Sequence, residues 1–235
     1  MRLPSETSSS WVHIGFAGFT WSSLQAWSEF TALPLDDRDY LANLAGNVRV
    51  PTDALLKEAR ETEDQLIFVR PAAQAKQNAW LTLLKRTAKE ALALVIFRVG
   101  GGSQDHPRVR EFLPDLLATI TAKKIVERPG EAMTAAGRLE TLQADFAEKA
   151  ELAQRLQAIA EGTKTAIDGN DAARGSWSKE RSEELVAKGR LRLELEKTHR
   201  SLGARFPGQR DFVESFFLRG SKPSEGEEEA EEAEG

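Results

Sequence analysis

The side chains that could do chemistry are few. The chain has three histidines, His13, His106 and His199, and no cysteine, which excludes disulfide frameworks, thiolate zinc sites, iron–sulfur clusters and cysteine nucleophiles. His199 is the histidine that falls inside a long helical pattern. Glu196-x-x-His199 matches the carboxylate–histidine spacing that di-metal bundles use on paired helices. A second copy of that motif is missing, because the positions one hundred residues earlier are Ile96 and Val99, and Lys197 and Arg200 give His199 cationic neighbours. Gly100-Gly101-Gly102 invites a phosphate-loop reading. Such a loop needs lysine and a hydroxyl residue directly after the glycines, whereas Ser103-Gln104-Asp105-His106-Pro107 follows, so the run reads as a helix–helix connection. No catalytic, metal-binding or cofactor-binding residue is assigned.

What remains is a set of large aromatics: Trp11, Phe16, Phe19, Trp21, Trp27 and Phe30 all fall in the first fifty residues. A segment without structure would not carry them, because aromatic side chains bury large areas and are favoured at interfaces. Residues 1–50 therefore read as an irregular aromatic arm. It either folds over its own bundle or meets a protein partner, a second copy included; a lipid surface fits less well, since basic residues are sparse there. These six aromatics are the candidate partner-binding residues. The apolar run from Trp11 to Trp21 is followed by Leu24-Gln25-Ala26-Trp27, which is no small-residue cleavage site. No stretch approaches the ~20 apolar residues of a membrane span, and the expected location is cytoplasmic.

These residues must be held by helices. The chain of 235 residues carries 32 Lys plus Arg against 37 Asp plus Glu, a formal net charge of −5. Seven glutamates and one lysine lie between Ser221 and Gly235, so the rest of the chain is nearly neutral. Residues 221–235, with no aromatic or branched apolar side chain, read as a disordered acidic tail. From Thr52 onward the composition is that of good helix formers. Leu55, Ala59, Thr62, Leu66 and Arg70 share a helical face that Thr52 would cap and Pro71 would end or kink. Trp80, Leu84, Ala88, Ala91 and Val95 mark a second helix, and Phe112, Leu116, Leu117 and Ile120 a shorter one after Pro107. A long helix is expected from Leu139 through Leu142, Phe146, Leu156 and Ile167, with a turn at Asp168-Gly169-Asn170-Asp171 and a last helix, anchored by Trp177, running to about Arg205. On that last helix Lys188, Arg190, Arg192, Lys197 and Arg200 alternate with Glu183, Glu184, Glu194 and Glu196, the mixed sign of a solvated face rather than a phosphate-tracking stripe.

Laid on itself at a shift of one hundred, the chain pairs Leu56 with Leu156, Glu61 with Glu161, Ile67 with Ile167, and Pro107, Arg110 and Phe112 with Pro207, Arg210 and Phe212. This register suggests an internal duplication with units 51–128 and 130–220, each a hairpin plus a short Pro-started helix that caps the bundle. The expected fold class is all-α: an antiparallel bundle over residues 51–220 with the aromatic arm before it and the acidic tail after it. The expected function is non-enzymatic, through protein–protein contacts or self-association, as an adaptor, scaffold or assembly subunit. Two rivals stand beside it: a nucleic-acid-associated protein autoinhibited by its tail, and an enzyme with a carboxylate and arginine site between helices.

Overall fold

The computed structural model describes residues 3–218, and the acidic segment 221–235 lies outside the described residues. Of the described residues 78% are helical, and none is in a strand. The helices in chain order are α1 (Ser10–Ser28), α2 (Leu35–Asp64), α3 (Arg70–Arg98), α4 (Pro107–Phe112), α5 (Ala118–Thr121), α6 (Arg128–Thr141), α7 (Lys149–Arg205) and α8 (Arg210–Glu214), with a π-helical turn, Gln65–Val69, between α2 and α3. The chain forms two compact units: unit 1 is Met1–Asp64 with Ser178–Gly235, and unit 2 is Gln65–Trp177.

The residues expected to form an irregular arm are regular helix. Ser9 caps α1 by accepting from the Val12 backbone N–H, and His13, Phe16, Ala17, Thr20 and Leu24 then recur every three to four residues on the buried face. Two aspartates, Asp36 and Asp37, occupy the first turn of α2, where they face the positive end of the helix dipole. That helix begins seventeen residues before Thr52 and passes through Pro51. An interior proline costs about 3 kcal/mol. Here Leu41, Leu44, Val48 and Leu55 are buried on one face across the proline, and tertiary packing outweighs the local break. Thr52 therefore caps nothing; its hydroxyl donates to the Val48 carbonyl at 2.7 Å. Pro71 acts as expected but more gently: it has no N–H for the Ile67 carbonyl, and the chain widens into the π turn just before it.

Two expectations about the longest helix are reversed. The helical run expected through Leu139, Leu142 and Phe146 is broken, with α6 ending at Thr141 and α7 starting at Lys149. Leu142 is still fully buried and Phe146 packs on the same core, so the pattern marked core positions but not one element. The Lys149 ammonium donates to the Leu142 carbonyl at 2.7 Å and closes the turn. The turn expected at residues 168–171 is absent, because α7 runs through it without interruption for 57 residues. Asn170 is buried on the same face as Ala166, Ile167 and Ala173, and that packing offsets the roughly 1 kcal/mol that Gly169 costs a helix. Trp177 thus sits inside a helix rather than at its start, with the Arg70 guanidinium 4.6 Å from its ring centre.

Each unit has its own core. In unit 1, α1, α2, the last part of α7 and α8 bury Phe16, Leu41, Leu55, Leu191, Leu195 and Phe216. In unit 2, Leu84, Val95, Phe112, Leu139, Leu142 and Leu156 meet among many alanines. The paired motifs Pro107–Phe112 and Pro207–Phe212 differ: Pro107 opens α4 and Phe112 is fully buried, whereas Pro207 lies in a turn before α8, which starts at Arg210, and Phe212 is only partly buried. Each follows the end of a long helix, and Phe112 with Leu113, or Val213 with Phe216 and Phe217, enters the core of its own unit. The pairing does not extend everywhere, since Ile67 is half exposed and Ile167 is buried. The glycine run after α3 is a turn: Gly101 and Gly102 have φ of 58° and 91°, and the Gly102 N–H donates to the Ile96 carbonyl at 3.0 Å.

Candidate functional site

The richest constellation lies in unit 1, where the N-terminal segment crosses α7. Three side chains of α7 spaced by four reach it. Glu184 accepts from the Ser10 hydroxyl at the start of α1 and from Arg181 at 2.7 Å. The Lys188 ammonium donates to the backbone carbonyls of Glu6 at 2.9 Å and Ser8 at 3.2 Å. Arg192 donates to the Pro4 carbonyl and, at 3.1 Å, meets Nε2 of His13. Residues Pro4 to Ser10 are therefore tied down by side chains of α7, with carbonyl groups as the main acceptors.

The protonation of His13 follows from its partners. A guanidinium can only donate, so Nε2 accepts from Arg192, and Nδ1 carries the proton it gives to the Ser9 carbonyl, 3.0 Å away. Burial disfavours the charged ring, and Lys188 and Arg192 oppose it further. Together they outweigh the Ser9 bond and hold the His13 pKa below its ordinary value. Glu184 goes the other way. Burial penalises its charge, but the Ser10 hydroxyl and Arg181 outweigh that and keep its pKa below the usual carboxylate value. The network thus keeps a neutral imidazole beside two cations and a carboxylate ionised in a buried place. Every partner is a structural acceptor or donor, and the arrangement holds the first turn of α1 in position.

That position determines what α1 shows to the outside. Of the six candidate aromatics, Phe16, Trp21 and Trp27 are turned inward. Phe16 stacks on Phe217 at 6.4 Å, Trp27 meets Phe212 edge-on at 5.0 Å, and Trp21 carries the Arg49 guanidinium 4.5 Å from its ring centre. Trp11, Phe19 and Phe30 stay outside, with relative exposures of 46%, 42% and 57%. Val12 joins Trp11 on the outer face, and a Cβ added at Gly15 or Gly18 would meet nothing within 4 Å. No Asp, Glu, Lys or Arg occurs anywhere in α1. The helix is uncharged rather than apolar all round, since Ser22 and Gln25 share its exposed side, but an amphipathic surface helix normally carries charge on its outer face and α1 carries none.

The other histidines fall outside this network. His199 lies 3.3 Å from the Glu214 carboxylate and packs edge-on against Phe217 at 5.3 Å. Ser201, two positions on, projects from another side of the helix, so the two do not form a nucleophile–base pair. His106 caps α4 by accepting from the Arg108 N–H at 3.2 Å. Elsewhere in unit 1, carboxylate oxygens of Glu58, Glu180 and Glu183 lie within 4.8 Å of one another on the surface.

Sequence reasoning missed the network because its two halves are some 180 residues apart in the chain. Lys188 and Arg192 read as part of a solvated mixed-charge face, but Lys188 is buried and Arg192 half-buried, while Arg190, Lys197 and Arg200 are exposed as expected. Their four-residue spacing with Glu184 was the available signal. No helix among the described residues is long and apolar enough to cross a membrane. Compared with known proteins, the chain matches no family, no curated protein and no solved structure.

Proposed function

We propose that the protein works without catalysis, by binding another protein through the outer face of α1. The observation that carries this reading is a 19-residue surface helix with no charged side chain, whose outer face presents Trp11, Val12 and Phe19 around Gly15 and Gly18. A partner suited to it is itself apolar and uncharged, such as the apolar stripe of a helix, since a charged one would lose its hydration without gaining an ion pair. The open glycines allow its backbone to come close, and Trp11 and Phe19 supply the anchors that dominate binding energy at interfaces. A lipid surface suits the face less well. Interfacial helices rely on lysine and arginine beside their apolar face, and α1 has neither.

The adaptor or scaffold role expected from the sequence fits this arrangement, because the Ser10, His13 and α7 contacts fix α1 rigidly and so preorganise the face. The test is capture of partners by the full chain beside a Trp11→Ser/Phe19→Ser variant. Deleting the segment would be uninformative, as Phe16, Ala17 and Leu24 belong to the core. Loss of captured protein, with thermal unfolding unchanged, is expected. Undiminished capture by the variant, or binding to neutral vesicles in place of protein, would contradict the reading.

A further inference from the structure

The segment ahead of α1 is tied to α7 through a nitrogen that it shares with a titratable ring. Nη1 of Arg192 makes two bonds, one to the Pro4 carbonyl and one, at 3.1 Å, to Nε2 of His13. The ring is fully buried, and its Nδ1–H is committed to the Ser9 carbonyl at 3.0 Å. The other ties of the segment are the Lys188 bonds to the Glu6 and Ser8 carbonyls and a 3.8 Å contact between Nη2 of Arg192 and the Glu6 carboxylate. At the head of the segment, Leu3 packs partly buried against the core of unit 1.

We propose that residues 3–8 form a strap that leaves α7 when His13 takes up a proton, so that mild acid uncovers Lys188, Arg192 and the recess that Glu6 borders beside Leu185, Gly189 and Leu193.

The step needs one proton. A neutral imidazole accepts at Nε2, whereas an imidazolium carries N–H on both nitrogens and accepts nothing. The Arg192 guanidinium is a donor only and keeps its charge, so protonation sets donor against donor and cation against cation at the same contact. Arg192 must then turn away. Because one nitrogen serves both bonds, the Pro4 carbonyl loses its donor in the same movement. Lys188, the second cation acting on the ring, is repelled with it and loosens its hold on Glu6 and Ser8.

The surrounding charges do not absorb the new one. Helix α1 has no charged side chain. Among the described residues, the charged groups that act on the ring are Lys188 and Arg192 of α7, both cations, and none from α2 or α8 does so. Glu184 of α7 is engaged by Ser10 and Arg181. Glu6 of the strap meets Arg192, but its side chain is 85% exposed, where an ion pair is worth little. Burial and the two cations hold the His13 pKa below 6.5 while the strap is closed, and the ring returns toward its ordinary value when the strap is open. The closed form is therefore favoured above pH 6.5, and opening grows as the pH falls through it. The device acts on the segment before α1 and leaves the outer face of that helix in place.

Thr7→Cys gives the chain a single thiol, at an exposed position whose hydroxyl meets Ser5 within the segment. A nitroxide attached there in the full chain should be restrained at about pH 7.5, and the ratio of mobile to restrained signal should rise ~3-fold or more by about pH 5.5, a window in which an ordinary carboxylate stays ionised. The same label at Leu185→Cys, exposed on α7, should not change. In His13→Gln, whose amide accepts from Arg192 without titrating, the ratio at position 7 should be equal at both pH values. Arg192→Leu removes the shared nitrogen and should leave the label mobile at both. The proposal is overturned by a label that stays restrained at the lower pH, by the same rise in His13→Gln, by a matching rise at position 185, which would be loosening of the whole unit, or by a strap that remains restrained in Arg192→Leu.

Discussion

Unit 1 packs Phe16, Phe206, Phe216 and Phe217 around α1, α2 and α7, and buries His13, Glu184 and Lys188 beside them. Unit 2 has Phe112 as its one aromatic in the buried core. It fills the remainder with Leu84, Leu139 and Leu156 and with Ala88, Ala91, Ala132, Ala135, Ala136, Ala153 and Ala160. Among the described residues, every buried ionisable side chain belongs to unit 1. Small side chains let helices approach closely, and a core of alanines and leucines needs no polar contacts to fix it. Aromatic packing with a buried charge network is more demanding, since each polar group must find its partner. Unit 1 meets that demand at the point where α1 is anchored, and the contact surface proposed above, the outer face of α1, lies in that unit.

The comparison can be broken first at the two cores. Phe112→Ala should cost about 4 kcal/mol in urea unfolding, because it removes the one aromatic ring in the buried core of unit 2, a fully buried side chain. Phe216→Ala should cost less, nearer 3 kcal/mol, since Phe212 and Trp27 lie at 5.0 and 6.4 Å and can shift toward the gap. Equal losses, or the reverse order, would remove the contrast in packing.

Close approach in unit 2 is tested at Gly162, where an added Cβ would lie 2.3 Å from the Trp80 ring. Gly162→Ala should destabilise by about 2 kcal/mol through overpacking. Gly169→Ala, in open space on the same helix, should instead stabilise by up to about 1 kcal/mol. Both are read from thermal or urea unfolding.

The buried charges of unit 1 are reached by Glu184→Gln, which keeps the shape but weakens the bonds from Ser10 and Arg181, with an expected cost of about 2 kcal/mol. His13 gives a pH signature. Its folded pKa is lowered from 6.5, so above that pH both folded and unfolded rings are neutral and its contribution is fully present. As the pH falls through 6.5 the unfolded ring takes up a proton first, and stability is lost until the folded pKa is passed. Urea unfolding at about pH 7 and about pH 5 should show this loss, superimposed on the carboxylate titration, and His13→Gln should reduce the slope. The smallest effect is expected on the outside: Trp11→Ser and Phe19→Ser should each change stability by no more than about 0.5 kcal/mol.

How far the sequence reveals all this differs between the two units for a physical reason. Alternating leucine and alanine at helical spacing made α3, α6 and most of α7 recognisable, and the core positions Leu84, Ala88, Leu139 and Leu156 follow from that period. The period does not show where a helix ends. Leu142 and Phe146 keep the spacing across a real break, and Gly169 with Asn170 looks like a break inside a continuous helix, because in both places packing decides against local preference. In unit 1 the aromatics and glycines of α1 obscured its helix, although Ser9 as a cap and the His13, Ala17, Thr20, Leu24 spacing were there to be read. The network could not be read at all, since only the fold brings Lys188 and Arg192 to Pro4, Glu6 and His13.

The division of roles meets its strongest challenge in unit 2 itself, where Leu66, Ile67, Phe68 and Val69 of the π turn are exposed together. These four residues are followed directly by Arg70, whereas the outer face of α1 has no charge along its whole length. The most direct measurement places a photo-crosslinking phenylalanine at Phe19 in one preparation of the full chain and at Phe68 in another, and compares the proteins captured in the source cells. Our account predicts a discrete adduct from position 19, lost when Trp11→Ser is added, and none of comparable yield from position 68. Capture from position 68 alone would contradict it and transfer the contact-making role to unit 2.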